Sequence, residues 1–207
     1  YKNGNLSLEE AERKLKIAPV EDIGYAVVDH QREMRNGCPE VIYCAGKTSE
    51  QIVGIIKSMI HAGTKNILGT RASKDKFDAV KAVFDDAVYY DAARIIKIER
   101  EPLEKTGGTV VVATGGTSDI PVAEEAAITC EYLGNNVERL YDVGVAGLHR
   151  LSSRLDAITK ADVIIAVAGM EGALASVIGG LTDKPVIAVP TSVGYGANFN
   201  GLSSLFC

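Results

Sequence analysis

TVVVATGGTSDIPVAEEAAI, residues 109–128, is the stretch that indicates the fold. Its first part is a run of β-branched residues, which is typical of a strand buried on both faces of a parallel sheet. Gly115 and Gly116 follow this run, and Pro121 lies where the first turn of a helix tolerates proline. The stretch therefore predicts a strand, a glycine-rich loop and the N-terminus of a helix.

The same alternation continues through the second half of the chain. Further strands are predicted at 137–143, 162–167 and 185–189, and amphipathic or small-residue helices at 148–159 and 171–181. Strands that alternate with helices form a parallel sheet with helices on both faces. We therefore expect an α/β fold built as a three-layer, doubly wound parallel sheet.

The first half of the chain is more mixed. Ser7 and Glu10 have the spacing of a helix capping box, and so do Thr48 and Gln51, which predicts a helix after Ser7 and another from Thr48 to about His61. The remaining short elements are predicted as strands at 25–28, 41–44 and 65–69, a helix at 74–84 and an extended segment in two pieces over 87–98. This pattern indicates a small N-terminal α+β domain.

The turn Lys-Thr-Gly-Gly near residue 106 marks the predicted domain boundary. It separates an N-terminal α+β region, residues 1–106, from an α/β domain, residues 107–207. The end of the chain, 201–207, has the pattern of a helix start, so we expect the second domain to be incomplete at its C-terminus.

Composition narrows the class of protein. The chain has 207 residues, of which 46% are hydrophobic and 24% charged, as in ordinary globular proteins. Its net charge of −5 and its lack of a basic run argue against a nucleic-acid partner. No apolar run approaches the roughly 20 residues that span a bilayer, and the polar start lacks a signal-peptide core. We expect a cytoplasmic protein with neither nucleic acid nor membrane as its partner.

The four cysteines do not predict a metal site. Cys38, Cys44, Cys130 and Cys207 form no Cys-x-x-Cys pair, and few histidines lie near them. Cys38 and Cys44 could meet in space, but reduced thiols are the expected state in a cytosolic chain.

The first candidate site follows strand 110–114, because ligands bind at the carboxyl ends of strands in open parallel sheets. The loop residues there are Gly115, Gly116, Thr117, Ser118 and Asp119. Glycines let the backbone approach a ligand, and the N–H groups of the next helix attract an anion. The alternative is an ordinary tight turn in which Ser118 or Asp119 caps the helix, and capping is compatible with phosphate binding.

A second candidate loop follows strand 137–143 and contains Gly147, His149 and Arg150. Arg150 could pair with a phosphate group and His149 could move a proton, although a His-Arg pair at a helix start is also common in solvated turns. The position of this loop beside the first one favours a functional interpretation.

A third candidate loop follows strand 162–167 and contains Gly169, Met170, Glu171 and Gly172. Glu171 is predicted at a helix N-terminus, where it could complement the helix dipole or act as a base. The segment after the last strand, 190–198, is rich in glycine and hydroxyl groups and is expected to close over the site.

These loops, in this order, resemble the PurE superfamily and, within it, the LarB family. The matching strings are GGTSDIPVAEEA, YDVGVAGLHRL, IIAVAGMEGAL, KPVIAVPTSVGYGA and GLSSL. The first half is similar to the same family at Val-Asp-His-Gln-Arg, at Gly-x-Pro-Glu-Val-Ile and at Gly-Lys-Thr. The resemblance covers about residues 20–207 and implies a PurE-like, flavodoxin-like sheet.

The resemblance also implies an activity. LarB proteins carboxylate the pyridine ring of nicotinic acid adenine dinucleotide with CO2 as co-substrate and hydrolyse its phosphoanhydride, which releases AMP, in the biosynthesis of the nickel-pincer nucleotide cofactor. By this resemblance Glu171 is the expected base, His149 assists proton movement or phosphate binding, and the glycine-rich loops bind the nucleotide. The residues expected to line the nicotinate or CO2 end are Asp29, Arg32, Glu40 and Lys47.

Two departures from the family bear on these expectations. Ala175 stands where the family usually has proline, which changes the helix start mildly. The family continues past the GLSSL-like string to a cysteine nucleophile, and this chain ends at Cys207, which precedes that position in register. We therefore expect a truncated chain and do not assign the nucleophile to Cys207.

Two other functions stay open. Plain aminoimidazole ribonucleotide (AIR) carboxylase or NCAIR mutase activity is the enzymatic alternative, although that group usually reads Ala-His-Arg-Thr-Pro where this chain reads Leu-His-Arg-Leu. A non-catalytic nucleotide-binding module is the other. No covalently bound cofactor is expected. Mg²⁺ could bind at a pyrophosphate of the substrate, although the sequence shows no dedicated ligand set for it. An octamer is expected by analogy with the family.

Overall fold

The computed structural model describes residues 7–9 and 20–206. The chain divides into two compact units, Tyr1–Pro102 and Leu103–Cys207, and each is described by itself. Of the helix predicted after Ser7, only Leu8 and Glu9 are described, and both are helical. The rest of that helix, including Glu10, lies outside the described residues.

Unit 1 has the α+β architecture that the sequence predicts. A hairpin of β1 (Val20–Asp22) and β2 (Val27–Asp29) precedes a sheet of β3 (Val41–Tyr43), β4 (Asn66–Thr70), β5 (Val88–Tyr90) and β6 (Ile95–Glu99). The sheet order is β3-β4-β6-β5, in which only β3 and β4 pair in parallel. The described helices are α1 (Arg32–Asn36), α2 (Ser49–His61) and α3 (Lys74–Lys81).

Helix α2 supplies one wall of the unit 1 core. Its side chains Ile52, Ile56 and Met59 are buried in one cluster with the strand residues Ile42 and Ile98. These helix positions recur at helical spacing, which is why the sequence predicted the helix correctly.

The predicted capping box at Thr48 is present. The Thr48 hydroxyl accepts the Gln51 N–H at 3.3 Å, and the Gln51 side chain accepts the Thr48 N–H at 3.0 Å. We expect Thr48→Ala to lower the free energy of unfolding by about 1 kcal/mol. Urea denaturation followed by circular dichroism measures this, with Ser49→Ala as the control in the same turn. Equal effects of the two changes would contradict the role of the cap.

Unit 2 contains a four-stranded, wholly parallel sheet in the order β10-β9-β7-β8. Its strands are β7 (Thr109–Thr114), β8 (Asn136–Leu140), β9 (Val163–Ala168) and β10 (Val186–Pro190). Its described helices are α4 (Ile120–Tyr132), α5 (Leu148–Ser152), α6 (Leu155–Lys160), α7 (Ala173–Gly179) and α8 (Leu202–Leu205), with short 3-10 turns at Thr117–Asp119, Val145–Gly147 and Gly196–Gly201.

The sheet has helices on both faces, which confirms the predicted three-layer architecture. Alternate residues of β7 and β9 point to opposite faces. One set packs with α4, namely Val110, Val112, Ile165 and Val167 together with Ala123 and Ala127. The other set packs with α5, α6 and α7, namely Val111, Ala113, Ile164 and Ala166 together with Leu151, Ile158, Leu174 and Ile178.

Several predicted elements differ in their bounds, among them the helix expected over 74–84, which ends at Lys81. The helix expected over 148–159 is two helices, because Ser153 and Arg154 interrupt it. The helix expected from Glu171 begins only at Ala173, and the strand expected over 137–143 ends at Leu140. Within the described residues no helix is both long and apolar enough to cross a bilayer.

The topology opens a crevice between β7 and β9. Strand β7 lies between β8 and β9 in the sheet. After β7 the chain enters α4, which packs on one face of the sheet, and after β9 it enters α7, which packs on the opposite face. Loops that diverge from adjacent parallel strands leave a gap at the carboxyl end of the sheet, where open α/β proteins bind ligands.

Candidate active site

A cavity of about 220 Å³ lies at this crevice. Every residue that lines it belongs to unit 2 and, apart from Ala168 at the end of β9, follows one of the four parallel strands. The lining residues are Gly115, Gly116, Ser118, Asp119, Gly144, Val145, Ala146, Arg150, Ala168, Gly169, Met170, Glu171, Ala173, Leu174 and Val193.

The cavity contains residues from all three predicted loops. The candidates that line it are Gly115, Gly116, Ser118, Asp119, Arg150, Gly169, Met170 and Glu171. The candidates that lie in the same loops without lining it are Thr117, Gly147, His149 and Gly172. His149 is an exposed residue in the first turn of α5, so a role for it requires contact with a part of the substrate outside the cavity.

The sequence did not identify the apolar wall of the cavity. Val145, Ala173, Leu174 and Val193 line it together with the backbone of Gly144. These side chains carry no reactive group. Val193 lies in the segment 190–198 that was expected to close over the site, whereas Ala173 and Leu174 begin α7.

Asp119 ties two loops together. Its Oδ2 accepts the Gly116 N–H at 3.0 Å, and its Oδ1 accepts the Thr191 hydroxyl at 2.7 Å. Both side chains of the Asp119–Thr191 pair are buried. Because each carboxylate oxygen already has a partner, Asp119 fixes the loops after β7 and β10 in place and shapes the cavity between them.

The loop after β7 offers hydrogen-bond donors to an anion. The first hydrogen bond of the 3-10 turn is donated by the Asp119 N–H to the Gly116 carbonyl at 3.2 Å. The N–H groups of Thr117 and Ser118 come before this bond, where a helix has no intrahelical acceptor for its N–H groups. The exposed Ser118 side chain adds a hydroxyl at the cavity wall. A 13-residue helix, α4, continues directly from this turn and contributes its dipole. This arrangement can bind an oxyanion.

Two glycines allow the loops to approach one another closely. A β-carbon on Gly144 would collide with the carbonyl of Gly115 in the neighbouring loop. A β-carbon on Gly169 would collide with the Val193 carbonyl and would lie 2.7 Å from the Thr191 hydroxyl. The shortest contact at each glycine is with a backbone carbonyl, of Gly115 or Val193, which cannot rotate away as a side chain would.

Gly144→Ala is therefore expected to destabilise the fold by about 1–3 kcal/mol through overpacking. Thermal or urea denaturation measures the change. Gly179→Ala is the matched control, because a β-carbon at Gly179 in α7 has open space around it. If the Gly144 variant were as stable as the control, the two loops would not be packed as described.

Arg150 is the one cationic side chain among the cavity-lining residues. Its Nη1 donates to Asp142 Oδ2 at 2.6 Å. Asp142 has a left-handed backbone (φ 58°), and its N–H is donated to the Thr114 hydroxyl at 2.9 Å. The guanidinium is thereby placed next to the oxyanion-binding loop.

Glu171 lies in the turn between β9 and α7, and not in the first helical turn as expected. The backbone of the turn is left-handed at Met170 (φ 53°) and Gly172 (φ 70°), so the helix starts after both. The Met170 N–H is donated to Val193 O at 2.8 Å, which fixes the turn. The Glu171 side chain is exposed and makes no hydrogen bond within the described part of the chain. It is therefore accessible to a substrate in the cavity.

The four candidates of unit 1 interact with their own surroundings. Asp29 pairs with Arg35, whose guanidinium holds the pKa of the Asp29 carboxyl below its usual range. Arg32 lies 3.6 Å from Glu40, and the Lys47 ammonium donates to a backbone carbonyl at 2.8 Å. All four belong to unit 1.

The described cysteines are separate thiols. Cys38, Cys44 and Cys130 are free, and burial raises the pKa of the Cys44 thiol to about 11. None of them lines the cavity. Among the described residues no group of three or more His, Cys, Asp or Glu side chains is arranged to hold a metal ion.

The comparisons with known proteins agree with the two units. Residues 20–100 match the LarB/PurE-like N-terminal domain, and residues 109–207 match the AIR carboxylase domain. An uncharacterized protein of Methanocaldococcus jannaschii is 40% identical over 219 residues, which cover 99% of this chain and 83% of that protein.

Two relatives have names that describe an activity. The N5-carboxyaminoimidazole ribonucleotide mutase of Methanocaldococcus jannaschii is 38% identical over 99 residues, which are 46% of this chain and 58% of the mutase. The bifunctional phosphoribosylaminoimidazole carboxylase/phosphoribosylaminoimidazole succinocarboxamide synthetase of Drosophila melanogaster is 27% identical over 132 residues, 62% of this chain and 31% of that protein. The chain belongs to the LarB/PurE superfamily, a family of the carboxylase and mutase type.

Proposed function

We propose that this protein carboxylates the pyridine ring of nicotinic acid adenine dinucleotide with CO2 and hydrolyses the phosphoanhydride, releasing AMP. The carrying observation is that one chain joins a LarB/PurE-like N-terminal domain, residues 20–100, to an AIR carboxylase domain, residues 109–207. The mutase relative aligns with 99 residues, 46% of this chain, whereas the two family matches together extend over both units.

The chemistry of the cavity suits a flat ring next to an oxyanion. The lining includes the apolar side chains of Val145, Leu174 and Val193 and, in the same cavity, the Ser118 loop and Arg150. At about 220 Å³ the cavity is smaller than the roughly 300–1,000 Å³ of pockets that enclose drug-sized ligands. We therefore expect it to hold the nicotinate ring and a neighbouring anionic group, with the rest of the dinucleotide extending outside.

The proposed reaction needs a thiolate and a base. A pyridinium ring is too electron-poor to attack CO2, so a thiolate first adds to a ring carbon and makes the ring enamine-like. The electron pair of the enamine then forms the carbon–carbon bond to CO2. A base removes the ring proton, and the electrons of that C–H bond restore the pyridinium as the thiolate leaves. Hydrolysis of the phosphoanhydride adds one water molecule and releases AMP.

This chain supplies candidates for most of these roles. Glu171 at the cavity is the proposed base, and the loop with Ser118 and Arg150 is proposed to bind the anionic group. His149 is proposed to assist at the part of the substrate that extends beyond the cavity. None of the described cysteines, Cys38, Cys44 and Cys130, lines the cavity, so the nucleophile is sought in the family's segment that follows the GLSSL string. Asp29, Arg32, Glu40 and Lys47 remain proposed contacts to the nicotinate or CO2 end.

Activity as an N5-carboxyaminoimidazole ribonucleotide mutase or AIR carboxylase is the second candidate, favoured by the 38% identity to the mutase. The substrate of that reaction is already an enamine and requires no thiolate. A non-catalytic nucleotide-binding module is the third candidate.

One experiment separates the three. The complete protein, with any residues that follow Cys207, is incubated with nicotinic acid adenine dinucleotide and ¹³C-bicarbonate, and AMP and carboxylated mononucleotide are followed by mass spectrometry. We expect both products, with the label in the new carboxyl group. Turnover of aminoimidazole ribonucleotide in place of these products would favour the second candidate, and binding without turnover of either substrate would favour the third.

Three further proposals do not rest on the cavity. The protein is proposed to be cytoplasmic. It is also proposed, by analogy with the family, to assemble as an octamer, and light scattering after size-exclusion chromatography tests this oligomeric state. We also propose that the protein carries no covalently bound cofactor. The described residues offer no ligand cluster for Mg²⁺, so no step is assigned to a metal. Assays with and without EDTA test whether the reaction needs one.

A further inference from the structure

The segment that follows β10 packs against both ends of the turn that carries Glu171. We call this segment, residues 191–204, the strap. A β-carbon on Gly169 would collide with the Val193 carbonyl, and a β-carbon on Gly172 would lie 3.0 Å from the carbonyl oxygen and 3.2 Å from the Cα of Ser204. Because a β-carbon lies only one bond from its own Cα, both glycines pack directly against the strap backbone and leave no room for a side chain between turn and strap.

Hydrogen bonds hold the turn in the same position. The Met170 N–H is donated to the Val193 carbonyl at 2.8 Å, and the Gly172 N–H is donated to the Gly169 carbonyl at 2.9 Å. Gly172 has a left-handed backbone, with φ 70° and ψ 6°, which glycine adopts without a steric penalty. The backbone on both sides of Glu171 is thus fixed by the turn and by its contacts with the strap.

The strap is also fastened to itself. The Ser204 hydroxyl lies 3.2 Å from the Thr191 carbonyl and 2.9 Å from the Gly201 carbonyl and, with its single proton, donates to one of them at a time. A β-carbon on Gly201 would lie 2.9 Å from the Thr191 carbonyl oxygen. The buried Asn198 amide donates to the Ser192 carbonyl at 3.1 Å. The end of the strap is therefore joined to its beginning, and both parts contact the turn.

The side chain of Glu171 depends on this backbone for its position. Glu171 lines the cavity, is exposed, and makes no hydrogen bond within the part of the chain that the structure describes. No side-chain partner therefore holds its carboxylate, whose location follows from the conformation of the turn. Because a displacement of about 1 Å can lower the rate of a reaction about 10²-fold, the contacts that fix the turn decide how well a base at this position works.

We propose that Gly172 and Ser204 are positioning residues that hold Glu171 at the cavity. Ser204 supports the turn from α8, and Gly172 allows this close approach because it has no β-carbon and accepts a left-handed backbone. The inference rests on the proposed function, in which Glu171 is the base, and adds the contacts that place this base.

Gly172→Ala in the complete protein tests the close approach. It is expected to lower kcat for carboxylation about 10²-fold, because the added β-carbon pushes the turn away from α8 and displaces Glu171. The Kd of a probe, nicotinic acid mononucleotide, is measured by calorimetry. It is expected to stay unchanged, because a base acts in the transition state and not on the bound ground state.

Gly37→Ala is the matched control. Gly37 has the same left-handed backbone as Gly172, with φ 67° and ψ 11°, but a β-carbon there has nothing within 4 Å. Both variants therefore carry the strain of a left-handed alanine, and only the Gly172 variant meets the strap. The control is expected to keep the wild-type kcat. Equal losses of kcat in the two variants, or a loss of probe binding as large as the loss of kcat, would overturn the inference.

Ser204→Ala tests the support from α8 without any turnover, and keeps the inference testable if Gly172→Ala does not fold. It is expected to speed hydrogen–deuterium exchange of the Met170 and Gly172 amides about tenfold, the size of one lost hydrogen bond. Mass spectrometry of peptides that contain the turn measures this. Ser203→Ala is the control, because the neighbouring Ser203 hydroxyl makes no hydrogen bond within the described residues. Unchanged exchange in the Ser204 variant would contradict the inference.

A double-mutant cycle shows whether Gly172 acts through Glu171. Once Glu171→Gln is present, Gly172→Ala should lower the residual kcat no further. A further loss as large as in the wild-type background would mean that Gly172 acts on another group, and the inference would fall.

Failure of this inference is distinguishable from failure of the proposed function. If the wild type carboxylates nicotinic acid adenine dinucleotide and Gly172→Ala keeps the wild-type kcat, only the inference fails. If the wild type has no such turnover, but Ser204→Ala speeds the exchange and Ser203→Ala does not, the proposed function fails and the placement of Glu171 by the strap stands.

Discussion

Glu171→Gln is expected to reduce the rate of carboxylation by about 10²–10⁴-fold, the usual contribution of a general base. The amide has nearly the same shape as the carboxylate but cannot take the ring proton. Glu171 is exposed and has no hydrogen bond within the described residues, so its replacement should not disturb the fold. Initial rates of ¹³C incorporation from bicarbonate into the mononucleotide measure the effect.

Glu138→Gln is the matched control for this change. Glu138 is also exposed, but it lies on β8 and does not line the cavity. The control is expected to retain wild-type rates, and both variants are expected to unfold at the wild-type temperature. Unimpaired carboxylation by the Glu171 variant would remove this residue as the base, and a lowered unfolding temperature would indicate a structural role.

The parts of the fold that could be predicted are those with a local physical cause. The run in β7 is buried along almost its whole length, as a continuous β-branched segment requires. The helix at Thr48 begins where its capping box predicts. By contrast, all three residues of β1 are exposed, and this strand exists only through its pairing with β2. Such pairing leaves no pattern in the sequence of the strand itself.

Helix bounds were less predictable where the backbone departs from ordinary conformations. Met170 has a positive φ, which is uncommon outside glycine, asparagine and aspartate. Its sequence therefore indicated a helix starting at Glu171, whereas the turn delays the start to Ala173. The left-handed backbone of Met170 is stabilised by the hydrogen bond from its N–H to the carbonyl of Val193, which lies 23 positions away in the sequence.

The candidate site was predictable in its loops and not in its internal contacts. Position directly after a strand indicated the loops with Ser118, Arg150 and Glu171, and all three residues line one cavity. The hydrogen bond between Asp119 and Thr191 joins residues 72 positions apart. Neither residue signals the other in the sequence, because their contact depends on the order of the strands in the sheet.

This Asp119–Thr191 bond gives the second large expected effect. Asp119→Ala is expected to lower the free energy of unfolding by about 2–5 kcal/mol, because it leaves the Thr191 hydroxyl and the Gly116 N–H without their acceptor, at roughly 1–3 kcal/mol each. Asp119→Asn should cost less, because its side-chain oxygen can still accept one of the two bonds. Urea denaturation of the protein, followed by circular dichroism, measures the free energy of unfolding of each variant.

Thr191→Val supplies the other half of a cycle. If the hydrogen bond carries the effect, the Asp119→Ala/Thr191→Val double variant should be more stable than the sum of the single losses predicts, by about 0.5–3 kcal/mol. Additive losses would mean that the two residues act independently.

Because Gly116 and Val193 border the cavity on the two loops that this bond joins, loss of the bond should also loosen the cavity. Probe binding should therefore fall in the same order as stability, and a variant that loses stability but binds normally would show that the site does not depend on this bond.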